Sequence, residues 1–404
     1  VKRRVFVALL LIASCSRSEP QRAAPAGLPS KLPTDVINER SSLLDVARGA
    51  TIVSRTGEAL LTTSAMNTID GEIGTFWLPP PPDYPQSIVI ALAAPSRIDR
   101  VGFRSLIGRR AEANHVTFER SLDGANWLPL ASMTSRKIDQ AQWTDVAPAD
   151  AAYLRVTIPD AAYAERDARI HSLFAHGTEL AAPKNAAIDG CWSINGEGAK
   201  FAQHGARVTG VVEQAKKPLF LAGGTNGRIW RFNWVRGNDF GYTALTVSPD
   251  GKHLSALNWH EEAIAVFTAF PWFGDRGDCA GTPLRDDVPI ALLHRAGRVS
   301  LFALQFDANG NLLADASREE LESLTSIIRG VPVPIRIVAH EYRHDSKRNK
   351  EIAEREIASV RAALANVDLS RVEFVAAGSD SPRHAPESDA ARAIYSSVEV
   401  EVRR

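Results

Sequence analysis

The pattern His340-Glu341-Tyr342-Arg343-His344 carries the most explicit chemistry in the chain. On a helix, two histidines four apart face one metal ion, and the glutamate between them can activate a bound water. That chemistry needs the right element beneath it. The run Val333 to Val338 alternates like a strand, which puts His340 at a strand end. Asp345-Ser346-Lys347-Arg348-Asn349 then reads as a loop or helix start. A zinc hydrolase built on His340 and His344 is therefore the last-ranked reading. Cysteine is the other reactive type, at Cys15, Cys191 and Cys279.

Cys15 ends a run with its own logic. Lys2-Arg3-Arg4 is followed by the apolar stretch Val5 to Leu11 and then Ile12-Ala13-Ser14-Cys15. A basic start, a short apolar run and small residues read as a secretory signal peptide. The last four residues resemble the lipobox of bacterial lipoproteins. The resemblance implies that residues 1–15 hold the signal and that Cys15 is lipidated. Ser16 in the next position then implies sorting to the outer membrane. No later apolar stretch approaches spanning length, so the lipid is the expected anchor. With Cys15 lipidated, Cys191 and Cys279 remain. In an exported chain such a pair reads as a disulfide, with two separate buried thiols as the alternative.

The 404 residues are 45% hydrophobic, with a formal net charge of zero. That supports several packed cores and argues against general nucleic-acid binding. Residues 16–40 are read as a flexible linker, rich in Pro, Ala and Ser from Glu19 to Pro33. Breaks at Ala181-Ala182-Pro183-Lys184-Asn185 and Gly281-Thr282-Pro283 divide the rest into 41–178, 187–282 and 288–404.

The first segment is a series of short strands with turns such as Asp123-Gly124, which predicts a β-sandwich jelly roll. Asn67-Thr68-Ile69-Asp70-Gly71, then Thr75-Phe76-Trp77, and later Phe118 to Trp127 resemble the discoidin-like, or coagulation-factor 5/8 type C, domain. Many carbohydrate-binding modules belong to that family. The resemblance implies a structural calcium ion at Asp70 and Thr75, although Ser172 stands near the place where the family has a further glutamate. It also implies ligand binding by loops at one end. Trp77 to Tyr84 and Gly108-Arg109-Arg110 supply the candidates Tyr84, Arg109 and Arg110, because aromatic faces stack on sugars and guanidinium groups donate to their oxygens. Trp77 and Trp127 are expected in the core.

The second segment alternates and is punctuated by glycine, as in Arg228-Ile229-Trp230-Arg231-Phe232-Asn233-Trp234. It predicts a small antiparallel β-barrel. Gly190-Cys191-Trp192 vaguely resembles the opening strand of lipocalin-type barrels. The interior either holds a small apolar ligand or is filled by its own side chains.

The third segment alternates strand and helix, which predicts an α/β sandwich. Ser317 and Glu320 have capping-box spacing, and Gly330 marks a helix end. The order of elements resembles the OmpA-like domain that anchors outer-membrane proteins to peptidoglycan. Asn349 matches the asparagine that precedes the family's second helix. The family's ligand-binding aspartate and arginine fall here on Tyr342 and Glu356, with Arg355 and Asp345 nearby as substitutes. Ser396-Ser397 replace its paired arginines. The peptidoglycan site is therefore read as degenerate.

Together these features predict a non-enzymatic, outer-membrane lipoprotein on the periplasmic face that binds cell-wall or other glycans. An envelope assembly protein whose partners are other proteins is the alternative.

Overall fold

The computed structural model describes residues 42–80, 84–105, 113, 115–136, 138–160, 168–183, 186–214, 217–261, 269–380 and 388–403. Cys15, Arg109 and Arg110 lie outside them. No helix among the described residues is long and apolar enough to cross a membrane.

The first unit contains β1 (Thr51–Arg55), β2 (Gln86–Arg104), β3 (His115–Ser121), β4 (Leu128–Thr134), β5 (Gln142–Ile158) and β6 (Ser172–Glu179). They follow the order β1-β2-β5-β3-β4, and β6 also pairs with β2. The long strand β2 meets β1 through Ile88 to Ala91 and β6 through Ser96 to Arg104. Its register with β5 breaks between Ala91 and Ser96, where one partner gives way to the other. Such irregularities are how strands pass between the layers of a sandwich. The buried core includes Ile88, Ile90, Val101, Phe103, Val116, Phe118, Leu154 and Val156. Their spacing is the period-2 alternation of strands with one buried face. Trp77 joins this core, whereas Trp127 does not. Trp127 is half-buried, with the Arg155 guanidinium 4.6 Å from its ring centroid. Stacking against a cation on the sandwich surface replaces the expected burial.

The second unit is a closed barrel of eight consecutive antiparallel strands. These are β7 (Gly190–Ile194), β8 (Glu197–His204), β9 (Arg207–Val212), β10 (Leu219–Thr225), β11 (Trp230–Arg236), β12 (Asp239–Val247), β13 (His253–His260) and β14 (Phe270–Arg276). The β7–β8 hairpin turns on Asn195 and Gly196, both at positive φ, the conformation that two-residue hairpins favour. Trp192, Phe201, Trp230, Phe232, Trp234 and Trp272 fill the interior, so the barrel is packed by its own aromatic side chains.

The barrel closes where β14 meets β7, through Gly274↔Ile194, Asp275↔Ser193 and Arg276↔Trp192. This is a shorter ladder than any other in the barrel. The Cys191–Cys279 disulfide spans 88 residues of chain across that seam. A covalent link is thus placed where hydrogen bonding is sparsest.

The third unit is a four-stranded sheet in the order β15-β18-β16-β17. The strands are β15 (Arg298–Ser300), β16 (Ile335–His340), β17 (Val372–Gly378) and β18 (Val398–Val402). Its helices are α1 (Val288–Ala296), α2 (Arg318–Gly330), α3 (Ser346–Ala363) and α4 (Asp389–Tyr395). Strands β16 and β17 are parallel, so the chain must cross over between them, and α3 makes that crossover. The capping box does not form. The Ser317 hydroxyl accepts from Gln305 N at 2.8 Å, and Glu320 is buried 3.7 Å from Arg207 of the barrel. Tertiary partners outcompete the local cap. Gly330 is the last residue of α2.

The three units share buried contacts. The edge strand β1 is covered by the barrel: Ile52 N donates to Ser255 Oγ at 3.1 Å, and Arg55 lies over the Phe273 ring. Covering an edge this way removes a template for unwanted pairing. Arg228 of the barrel makes a two-point ion pair with Glu179 of the sandwich, at 2.8 and 2.9 Å. Ala390 and Ile394 of α4 belong to the same core cluster as the sandwich.

Cutting the disulfide should loosen the barrel seam. A loop of this length corresponds to on the order of 4 kcal/mol in the chain-entropy account. Thermal unfolding of Cys279→Ser, or of wild type with reductant, is expected at a clearly lower midpoint than the oxidised chain. Equal midpoints would show that the seam does not depend on the link.

Candidate functional site

At one end of the sandwich, three stretches of chain are tied together. Trp77 and Ile170 exchange backbone hydrogen bonds at 2.8 and 3.1 Å, and His171 N donates to Arg104 O at 2.8 Å. Buried Asn67 fixes the first loop from within: its Nδ2 donates to Thr62 O at 3.0 Å and Phe76 O at 2.9 Å. These bonds hold Phe76 beside Arg169 and His171. The Arg169 guanidinium carbon stands 4.6 Å from the Phe76 ring centroid, and the His171 ring 5.4 Å from it.

The guanidinium groups of Arg169 and Arg104 and the carboxylate of Asp139 act on His171. Burial, then the charges of Arg169 and Arg104, press the His171 imidazole down to about 4. His171 is thus neutral near pH 7, with two guanidinium groups beside it. Arg169 has no ion pair among the described residues, and its Nε is buried without a hydrogen-bond partner. An arginine braced on an aromatic ring, with donors unclaimed, suits recognition of oxygen-rich ligands. Tyr84 is half-buried and packs against the sandwich core. Of the sequence candidates Tyr84, Arg109 and Arg110, the two arginines lie outside the described residues, and the aromatic–cation cluster is formed by Phe76, Arg169 and His171. Phe76 was legible as the neighbour of Trp77, but its pairing with Arg169 spans more than ninety residues.

Residues 51–171 match the F5/8 type C domain. This stretch is an F5/8 type C domain. Three solved structures are each similar to about a third of the chain. The C-terminal domain of a chitobiase from Bacteroides fragilis is 27% identical, with 34% of this chain and 98% of that one covered at a TM-score of 0.31. A family 32 carbohydrate-binding module from Clostridium perfringens, in complex with galactose, is 18% identical, covering 31% and 98% at 0.27. A chitosan-binding module from a Paenibacillus chitosanase/glucanase is 22% identical, covering 34% and 98% at 0.28. No curated protein matches the chain.

The calcium expectation for the F5/8 type C domain does not fit these residues. Asp70 Oδ1 accepts from Glu72 N at 2.8 Å, and Oδ2 accepts from the Thr75 hydroxyl at 2.8 Å. Burial raises the Asp70 carboxyl well above the usual range, which favours the proton over the charge. Ser172 adds no carboxylate. Calcium takes roughly six to eight oxygens, several of them charged. Among the described residues, no three His, Cys, Asp or Glu side chains gather as a metal set.

In the third unit, the residues aligned with a peptidoglycan site do not converge. Arg355 turns to Asn309 O at 3.0 Å and to Glu351 at 3.7 Å. Asp345 caps α3 by accepting from Arg348 N at 3.0 Å. Asn349 is buried and holds the preceding loop, accepting from His344 N at 2.9 Å and donating to His344 O at 2.8 Å. Glu341, rather than Tyr342, interacts with Glu356. Glu341 is fully buried; it accepts from the Tyr342 and Arg343 amides, from the Arg343 guanidinium and from Ser396 Oγ. Those bonds, with Arg343 foremost, hold its carboxyl below the usual range despite burial. Glu356 is 5% exposed. Burial and the Glu341 charge push it up to about 8, against the opposing charges of Arg343 and Arg231.

The zinc pattern is also taken apart. His340 ends β16, His344 is exposed in a loop, and α3 begins only at Ser346. The helix that would bring two histidines to one metal is absent from this stretch.

Glu356 gives a pH signature. An unfolded glutamate loses its proton near ~4.3, while the folded one keeps it to about 8. The raised pKa contributes stability that is complete below ~4.3 and lost as pH rises through the folded value. The unfolding midpoint is therefore expected to fall between pH 5 and 8. Glu356→Gln should flatten part of that slope; Asp45 and Glu320, both raised to about 7, sustain the rest. An identical slope in the variant would show that Glu356 ionises normally in the folded chain.

Proposed function

We propose that the chain is a glycan-binding lipoprotein of the outer membrane, in which the F5/8 type C domain engages the ligand. The observation that carries this reading is the Arg169–Phe76 stack at the loop end of that domain. The aromatic edge offers an apolar face for a sugar ring, and the guanidinium offers paired donors to hydroxyl or carboxylate oxygens. The family match over residues 51–171 supports a binding role rather than catalysis. The signal-like run ending at Cys15 supports export and lipid anchoring, and Ser16 supports the outer membrane.

In this reading the third unit is an OmpA-like scaffold that has lost its family ligand. A buried acid, Glu356, held mostly protonated near pH 7, stands where that ligand's own carboxylate meets arginine in the family, so the cation that would pair with the ligand is missing. Arg231 from the barrel and Arg343 already compensate the local acids. The unit then serves as a rigid mount, and cell-wall binding falls to the sandwich.

Sedimentation with purified peptidoglycan, using the chain without residues 1–15, tests this. Wild type is expected to pellet. Phe76→Ala, through lost stacking area, and Arg169→Ala, through lost charge-assisted bonds of roughly 1.5–3 kcal/mol, should each weaken retention about tenfold or more. Glu356→Gln should pellet like wild type. Retention insensitive to both sandwich substitutions, or lost with Glu356→Gln, would move the site away from the F5/8 type C domain. Failure of wild type to pellet, together with retention by another glycan, would exclude peptidoglycan as the ligand.

A further inference from the structure

The α/β sheet of the third unit has two edges. At one, β15 is held by the barrel through Ser300 and Asn233. At the other lies β17, which among the described residues pairs with β16 alone. The hydrogen bonds at its start fix which way its backbone faces. Ile335 N donates to Arg371 O at 3.0 Å, so Arg371, and by alternation Glu373 and Val375, turn their polar backbone groups toward β16. Val372, Phe374 and Ala376 turn theirs outward. Two of the outward groups are taken: Val372 N donates to Leu369 O at 3.0 Å, and Ala376 O accepts from Lys350 Nζ at 2.6 Å. Phe374 N, Phe374 O and Ala376 N have no partner among the described residues, and the Ala376 carbonyl keeps a second lone pair.

Between this strand and α3 runs an open groove of about 640 Å³, lined by Glu354, Ala358, Arg361 and Ala362 of the helix and by Phe374 and Ala376 of the strand. The four helix residues are exposed, and Phe374 and Ala376 are half-buried. Glu354 and Arg361 have no ion pair among the described residues. They stand two helical turns apart on either side of Ala358, separated by roughly 10 Å along the axis and out of each other's reach. An acid and a base so placed about a small residue complement themselves under a two-fold rotation, because each meets the other's counterpart. The strand has the same property. A two-fold axis through Val375 sets Phe374 opposite Ala376, large against small, and brings the outward groups of both into register.

We propose that a second copy of this chain docks on this edge, β17 against β17 in antiparallel register about Val375, so that two four-stranded sheets become one continuous sheet. Phe374 and Ala376 exchange N–H···O=C bonds across the axis, and Val375 meets its own copy. Glu354 then faces the partner's Arg361, and the two-fold repeats that pair. The exposed alanines let the two copies of α3 approach to the ~8–10 Å of packed helices. A strand from an unrelated protein would satisfy the backbone but would not supply charges in this reciprocal order. The interface uses no residue of the Arg169–Phe76 stack, so it is independent of glycan binding.

The test is analytical ultracentrifugation of the chain without residues 1–15. Wild type is expected to form a concentration-dependent dimer. Glu354→Arg and Arg361→Glu should each weaken it about tenfold or more, because the two-fold makes every reversal act twice. The double variant restores opposite charges and should recover the dimer. Val375→Cys should form a disulfide-linked dimer on mild oxidation, since directly opposite residues of a non-hydrogen-bonded pair lie ~4.5 Å apart. A wild type that stays monomeric at every concentration overturns the proposal and leaves the edge to a strand from another protein. A dimer unmoved by the single reversals, or not recovered by the double variant, overturns it too. If the charge variants fail to fold, absence of cross-linking in Val375→Cys overturns it instead.

Discussion

Arg231 is a charged side chain on the outside of the barrel wall, yet it is only 8% exposed. Its guanidinium leaves water and is resolvated by protein: it donates to Ala393 O at 3.1 Å, Ser396 O at 2.9 Å and Phe302 O at 3.3 Å. Desolvation and the Arg343 charge lower its pKa to about 10, while the Glu341 and Glu356 charges oppose that shift. A buried cation tolerates few arrangements, because any displacement strips it of partners. All three carbonyls belong to the third unit. Arg231 therefore commits the barrel and the α/β sheet to one relative placement. Asn233, two residues along β11, repeats the demand by donating to Ser300 O at 2.8 Å and accepting from Ser300 N at 3.2 Å.

From that placement follow the other contacts. The barrel approaches the third unit so closely that a Cβ on Gly224 would lie 2.5 Å from Ala303 Cα. On another side, a Cβ on Gly49 of the sandwich would lie 3.0 Å from Arg228 O. Glycine is needed at both, since any side chain would force the units apart. Helix α4 is wedged against the sandwich by Ala390 and Ile394. The polar groups at these junctions are consequences of docking: each faces a partner from a different unit.

Much of the architecture was legible from spacing. In β11, Trp230, Phe232 and Trp234 alternate with Arg231, Asn233 and Val235, and that period correctly orients the aromatic residues inward. Yet every one of the six is buried, because the outer face meets another unit. The Asn67 to Gly71 motif staples the loop that carries Phe76, through Asn67 on Phe76 O and Asp70 on Thr75. Trp127, expected in the core, is half-buried with the Arg155 guanidinium over its ring. Ser317 and Glu320 had the spacing of a cap but found partners in Gln305 and Arg207.

By itself the sequence determined what depends on local period and turn chemistry: the strand-rich first segment, the antiparallel barrel of the second, and the alternation of strand and helix in the third. Those signals are encoded within a few residues. Only the tertiary structure decided which side chains meet: Phe76 with Arg169, Glu341 with Glu356, and Cys191 across the barrel seam with Cys279. Each of these pairings crosses a chain separation that local propensity does not sense. The physical reason is desolvation. A charge or ring nitrogen acquires its character from what excludes water around it, and that is known only once the units have packed.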